Sequence, residues 1–220
     1  MLLVINPNKI TRQTFFQDLI NYLYVNDDVT LRQIKKAFPD MKQLDRALDL
    51  YIENGYITRS ERRYHLNLPQ VNTLEELQLD DMVFVDDQST LYQEIKSLRY
   101  KTVLTNKTND LQIIEETDFE RQTLTLANYF YKLQHGYPMS AEQEPLYQIL
   151  GDVNPDYALK YLTTFMMKFL RKDLVLQKRP DVFCQSLVTL AYLQEKEGKR
   201  YHLLGRLDQE NLFYKAPSLQ

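Results

Sequence analysis

Apolar positions recur at helical spacing through the first third of the chain. After an apolar start at Leu2 to Ile5 and a turn-like Asn6-Pro7-Asn8, a stripe of Phe15, Phe16, Leu19, Ile20, Leu23 and Tyr24 predicts a first helix. Thr14 with Gln17 has the spacing of a capping box, in which a hydroxyl and an amide satisfy backbone N–H groups that the first turn leaves unpaired. Asn26-Asp27-Asp28 interrupts the pattern, and Thr30 with Gln33 repeats the box ahead of Leu31, Ile34, Ala37 and Phe38. Pro39-Asp40 stops this second, short helix. Met41, Leu44, Ala47, Leu48, Tyr51 and Ile52 then form a third stripe, closed by Asn54-Gly55 where a left-handed residue suits glycine. Tyr56-Ile57-Thr58-Arg59, a polar turn at Ser60-Glu61-Arg62 and Arg63-Tyr64-His65-Leu66 alternate as the two arms of a small hairpin.

Three helices followed by a hairpin, joined by the run Leu48-Asp49-Leu50-Tyr51-Ile52-Glu53-Asn54-Gly55-Tyr56-Ile57, resemble the winged helix-turn-helix proteins. The resemblance covers residues 1–70. It implies a third helix that enters the major groove of duplex DNA and a hairpin that touches the neighbouring backbone. The same fold also serves protein–protein contacts, so an adaptor without nucleic-acid binding is the alternative. The opening Asn6-Pro7-Asn8-Lys9-Ile10-Thr11-Arg12-Gln13 further resembles an uncharacterised family from lactic acid bacteria, which adds no function.

Residues 71–117 change character. Leu74 to Leu79 reads as a helical turn, Met82 to Val85 as a strand, Ser89 to Leu98 as a helix, and Thr102 to Thr105 and Leu111 to Ile114 as strands: a small α/β connector. From residue 118 the helical period returns. One helix carries Phe119, Leu124, Ala127, Phe130, Tyr131 and Leu133 up to His135-Gly136; a second runs from Pro145 to Leu150. A third opens at Asn154-Pro155, with a stripe from Ala158 through Phe165, Met166, Phe169 and Leu170, before an alternating Leu174-Val175-Leu176. That order suggests a diverged second winged-helix-like module over 118–220, with Asp173-Leu174-Val175 in the place of Gly55-Tyr56-Ile57. Residues 182–193 suit a strand or a helix. The fold class expected is mainly α within α+β: N-terminal winged helix, acidic connector, C-terminal helical module.

Composition refines this picture. A hydrophobic content of 44% with 26% charged residues is that of a globular chain able to bury a core. One cysteine, Cys184, and no basic-then-apolar leader point to a reducing cytoplasm, and no apolar run is long enough to span a bilayer. The formal charge of −3 is unevenly spread. Residues 1–66 hold 10 basic and 8 acidic side chains, 67–118 hold 4 and 11, and 119–220 hold 13 and 11. The acid therefore sits in the middle, and the two ends are mildly basic.

For a DNA contact the outward positions of helix three are Lys42, Gln43 and Arg46, able to read base edges, beside Asp45, Asp49 and Glu53, which repel phosphate. Arg59, Arg62 and Arg63 of the hairpin are less compromised, with only Glu61 opposing. A second basic patch comprises Lys168, Arg171, Lys172, Lys178 and Arg179, although cations at a helix C-terminus also serve the helix dipole. The apolar stripe ending at Leu170 exceeds what a half-module needs and predicts a homodimer through the C-terminal half. Met82-Val83-Phe84-Val85-Asp86-Asp87-Gln88-Ser89-Thr90 resembles the nucleophile motif of haloacid-dehalogenase-like phosphatases, but Gln88 stands where their second Asp belongs. His65, His135 and His202 are far apart, Cys184 has no ligand-spaced companion, and no Gly-rich phosphate loop occurs. The expectation is a DNA-binding regulatory protein, not an enzyme, with no metal and no cofactor.

Overall fold

The computed structural model of the chain describes residues 1–69, 71, 74–75 and 77–217. Its first unit, Met1–Ser97, contains β1 (Leu2–Ile5), α1 (Thr14–Val25), β2 (Val29–Thr30), α2 (Leu31–Ala37), α3 (Leu44–Glu53), β3 (Ile57–Ser60), β4 (Arg63–Leu66), β5 (Val83–Asp86) and α4 (Thr90–Ser97). The second, Leu98–Gln220, contains β6 (Arg99–Leu104), β7 (Gln112–Asp118), α5 (Leu126–His135), α6 (Glu144–Leu150) and α7 (Pro155–Met166). A 3-10 turn (Met167–Leu170) extends α7, and β8 (Leu174–Leu176), α8 (Val182–Thr189), β9 (Leu193–Lys196), β10 (Arg200–Leu203), β11 (Arg206–Asp208) and β12 (Phe213–Lys215) follow. The stretch 71–117 is shared: β5 and α4 belong to the first unit, β6 and β7 to the second.

In the first unit, Phe16, Leu19, Ile20 and Leu23 of α1 are buried with Val29, Ile34, Leu48, Tyr51, Ile57 and Tyr64. Each such side chain removed from water contributes about 1.5–3 kcal/mol. The Thr30–Gln33 capping box opens α2. The box expected at Thr14 does not form: Gln13 is the N-cap of α1 without a side-chain bond, and Gln17 Nε2 donates to the Thr11 carbonyl instead. Helix α3 begins at Leu44, three residues later than its apolar stripe, because Gln43 adopts a left-handed φ of 60°. Gly55, at φ +78°, turns the chain from α3 into β3 as expected. β4 pairs antiparallel with both β2 and β3, giving the sheet order β2-β4-β3. The apolar start is strand β1, which pairs antiparallel with β5. Glu76, within the helical turn expected over Leu74 to Leu79, lies outside the described residues.

The second unit has a four-stranded sheet, β11-β12-β7-β6, parallel only between β12 and β7, and a three-stranded sheet, β8-β10-β9, all antiparallel. The smaller sheet repeats the order β2-β4-β3 in the same registers. Leu66 opposes Ile57 and Leu203 opposes Leu193; Tyr64 opposes Val29 and Tyr201 opposes Val175. Buried Leu162, Phe165, Met166, Phe169 and Val175 reproduce the spacing of Phe16, Leu19, Ile20, Leu23 and Val29. The helix-to-strand junctions match as well. Tyr56 N–H donates to the Tyr51 carbonyl and Tyr192 N–H to that of Leu187, while Ala191 takes the left-handed position of Gly55 at φ +56°. Thus Ala191-Tyr192-Leu193, and not Asp173-Leu174-Val175, stands in the place of Gly55-Tyr56-Ile57. β8 is instead the counterpart of β2, residues 182–189 are helical, and no helix corresponding to α2 separates β8 from α8.

The expectation of a mainly α chain is overturned. Among the described residues the fold is mixed, 37% helical and 23% strand, with four small sheets. Many of its strands are only two to four residues long, too short for windowed periodicity to register. The helix expected across Phe119 to Leu133 begins only at Leu126, capped by Thr125, because β7 extends to Asp118. The stripe that suggested a homodimer is consumed by the unit's own core, in which Phe165, Met166 and Phe169 are at most 7% exposed. The apolar side chains that α7 and α8 leave outside are Tyr157, Tyr161 and Val182.

Candidate nucleic-acid interface

In the first unit, α3 and the β3–β4 hairpin position the residues singled out above. Lys42, Gln43 and Arg46 are exposed and, with Asp49, Leu50 and Glu53, line an open concavity of about 550 Å³ along α3. Asp45, expected to repel phosphate, is bridged by Lys35 from the last turn of α2, with Nζ 3.1 Å from Oδ2. Its charge is partly offset where it stands. Asp49 and Glu53 remain acidic along the rest of the helix.

The hairpin reverses through Glu61 and Arg62, both at positive φ, the geometry of a two-residue turn that follows strand twist. It presents Arg62 at the tip, exposed and in no ion pair among the described residues. Arg59 is also exposed, with its guanidinium carbon 5.5 Å from the centre of the Tyr64 ring, a contact that orders the side chain without neutralising it. Arg63 differs: its Nε lies 3.4 Å from Asp28 Oδ1, and its Nη1 donates to the Asp28 carbonyl at 3.0 Å. Arg63 therefore ties the hairpin to the turn before β2. Arg59 and Arg62 are the cations available to a partner.

The second basic group is divided by the fold. Lys168 lies in the 3-10 turn, its Nζ 4.2 Å over the Phe165 ring, and Arg171 and Lys172 follow it before β8. Lys178 and Arg179 come after β8 and line a cavity of about 450 Å³ together with Asp181, Cys184, Glu195, Lys199 and other residues of α8 and the β9–β10 hairpin. Sequence reasoning missed the cations of that hairpin, Lys196, Lys199 and Arg200. The repeated Arg-Tyr-His-Leu at 63–66 and 200–203 was the available clue.

Elsewhere, burial and internal hydrogen bonds shift several titratable groups. Asp86 accepts from the Tyr24 hydroxyl at 2.6 Å and from Gln88 N–H at 2.8 Å, and chiefly the tyrosine bond holds its carboxyl below the usual range. Cys184 is buried, which pushes its thiol up to about 11 and keeps it protonated. No group of three or more His, Cys, Asp or Glu among the described residues is arranged to hold a metal ion.

The most deeply buried carboxylate among the described residues, Glu115 on β7, was not anticipated. It accepts from Leu126 and Ala127 N–H at the start of α5, each at 2.8 Å, and from the Tyr192 hydroxyl. Burial outweighs these bonds and raises its carboxyl above the ordinary range. Nearby in sequence, Asp118 accepts from the amides of Gln122 and Thr123, the Thr123 hydroxyl and Asn128 Nδ2. Burial pushes its carboxyl up, but these bonds prevail and hold it below the ordinary range.

Residues 2–98 match the model of a domain of unknown function (DUF1803), a span that coincides closely with the first unit. No curated protein and no solved structure matches the chain. No helix among the described residues is long and apolar enough to cross a membrane.

Proposed function

We propose that the first unit is a winged helix-turn-helix module that binds duplex DNA and that the chain is a cytoplasmic DNA-binding regulatory protein. The observation that carries this reading is the hairpin: Arg59 on β3 and Arg62 in the two-residue turn stand exposed shortly after α3, and Lys42 and Gln43 in the turn that enters α3 and Arg46 in its first turn are exposed as well. The order α1-β2-α2-α3-β3-β4 and the sheet β2-β4-β3 support it. In this reading α3 meets base edges, the hairpin cations meet phosphates, and Lys35 relieves the repulsion of Asp45. Asp49 and Glu53 favour the second reading, a winged-helix adaptor that binds protein. A homodimer through the second unit would use Tyr157, Tyr161 and Val182, and light scattering would reveal it.

The test is binding of a generic duplex followed by fluorescence anisotropy across a salt series. Each phosphate contact contributes a slope of about 0.9 in log K against log salt, so replacing Arg59 and Arg62 together by Ala should flatten the slope by roughly 2 units. Arg46→Ala should cost roughly 1–3 kcal/mol on a selected site and little on generic DNA. Absence of binding at low salt would leave the adaptor.

A further inference from the structure

We infer that the second unit carries a second, sequence-independent contact for the phosphate backbone of duplex DNA, formed by Lys178, Arg179, Lys196, Lys199 and Arg200. This rests on the reading of the chain as a DNA-binding protein and extends it to a separate site. The β9–β10 ladder has the register of β3–β4, but it reverses through three residues, Glu197, Gly198 and Lys199, where β3–β4 uses two. Arg200 occupies the register position of Arg63, and Lys199, left-handed at φ +55° as Arg62 is at +65°, stands just before it. Lys196, Lys199 and Arg200 are all exposed. The link between β8 and α8 adds two more cations. Lacking a counterpart of α2, that link runs directly from Gln177 to Asp181, and Lys199 Nζ donates to the Lys178 carbonyl at 3.3 Å. Lys178, Arg179 and Lys199 thereby share the wall of one cavity.

Of the acids of that wall, Asp181 Oδ1 accepts the Cys184 N–H at 2.8 Å as the N-cap of α8, while Glu195 is exposed; the three cations outnumber them. Helix α8 itself, Val-Phe-Cys-Gln-Ser-Leu-Val-Thr, has no charged side chain. In contrast to α3 it offers no arginine or lysine for the hydrogen-bond edges of bases, and Gln185 is the one exposed side chain of α8 at the cavity able to meet one, so the site's weight falls on phosphate. The work is divided: the first unit specifies and the second holds.

The experiment compares four full-length proteins on a generic duplex and on a selected duplex across a salt series: wild type, Arg59→Ala with Arg62→Ala, Lys178→Gln with Arg179→Gln and Lys199→Gln, and the five changes combined. The triple variant is expected to flatten the salt slope by roughly 2 to 3 units, about 0.9 for each phosphate no longer neutralised, and to weaken both duplexes by the same factor. Lys178→Arg with Lys199→Arg should keep the wild-type slope. An unchanged slope in the triple variant, with a flattened one in the Arg59/Arg62 variant, overturns this inference and leaves the first site standing. The opposite pattern overturns the first site and retains the second. Loss of discrimination between the duplexes in the triple variant would show base reading and overturn the division of work, as would a wild type that binds neither duplex. Circular dichroism of each variant identifies any that fails to fold; should the triple variant do so, Lys178→Gln with Arg179→Gln carries the test, with an expected flattening of roughly 2 units, and an unchanged slope overturns the inference.

Discussion

Tyr192→Phe should change sign in its effect on stability when Glu115 is removed. In the wild-type chain the Tyr192 hydroxyl donates to Glu115, which also caps Leu126 and Ala127 N–H at the start of α5. All of these groups are buried. Deleting the hydroxyl removes one hydrogen bond to an ionisable group while the two amides keep theirs, a loss of about 1.5–3 kcal/mol. Glu115→Ala is more damaging. It strands three buried donors at about 1–3 kcal/mol each, and the total, tempered by local relaxation, should be about 3–6 kcal/mol. In that background the Tyr192 hydroxyl is an orphan, so Tyr192→Phe should then gain about 1–3 kcal/mol. Urea unfolding of the four proteins, followed by far-ultraviolet circular dichroism and read on the transition of the second unit, closes the cycle. Equal costs for Tyr192→Phe in both backgrounds would refute the argument that Glu115 organises this junction.

Two further predictions concern the second unit. Ala191 occupies the left-handed position that Gly55 fills in the first unit, which costs about 1–2 kcal/mol for a residue with a Cβ. Ala191→Gly recovers that strain less the added entropy of the unfolded chain, a net gain of about 0.5–1 kcal/mol in thermal or urea unfolding. Asp118, with its carboxyl held down in the folded state, contributes stability above its ordinary value of 3.8 that is lost as pH falls through its folded value. Glu115, held up, contributes in the opposite sense: its share is fully present below its ordinary 4.5 and is lost as pH rises through its folded value. Acid titration of unfolding should accordingly show a loss of stability at the lowest pH that Asp118→Asn reduces.

Local signals in the sequence carried the first module well. Thr30 with Gln33, Gly55 after α3, and the alternating arms around Glu61-Arg62 each act within a few residues of themselves, and the structure forms them where the pattern predicts. The closures of α5 at Gly136 and α6 at Gly151, and the Asn154 cap of α7, were legible for the same reason. Pairings between distant segments were not. β1 finds β5, and β12 finds β7, through contacts that no local window contains. The repeat was misaligned because Leu174-Val175-Leu176 alternates as Tyr56-Ile57-Thr58 does, so a β2-like strand passed for a β3-like one. Arg-Tyr-His-Leu, present twice, fixes the true register. Within the site, the charges of Arg59 and Arg62 were visible in the sequence. The diversion of Arg63 to Asp28 and the offset of Asp45 by Lys35 depend on loops folding back and emerge only from the structure. Glu115 was invisible because a strand carboxylate becomes a helix cap only when α5 starts over it.

The most direct test of the DNA-binding account is to titrate the isotopically labelled chain with a generic duplex at low salt and follow the backbone amide resonances. Shifts should appear at Lys42 to Arg46 and at Arg59 to Arg62, and at Lys178, Arg179 and Lys196 to Arg200 where the second unit grips phosphate, and should recede as salt is added. A spectrum that does not change, or one that changes only at Tyr157, Tyr161 and Val182, would contradict it.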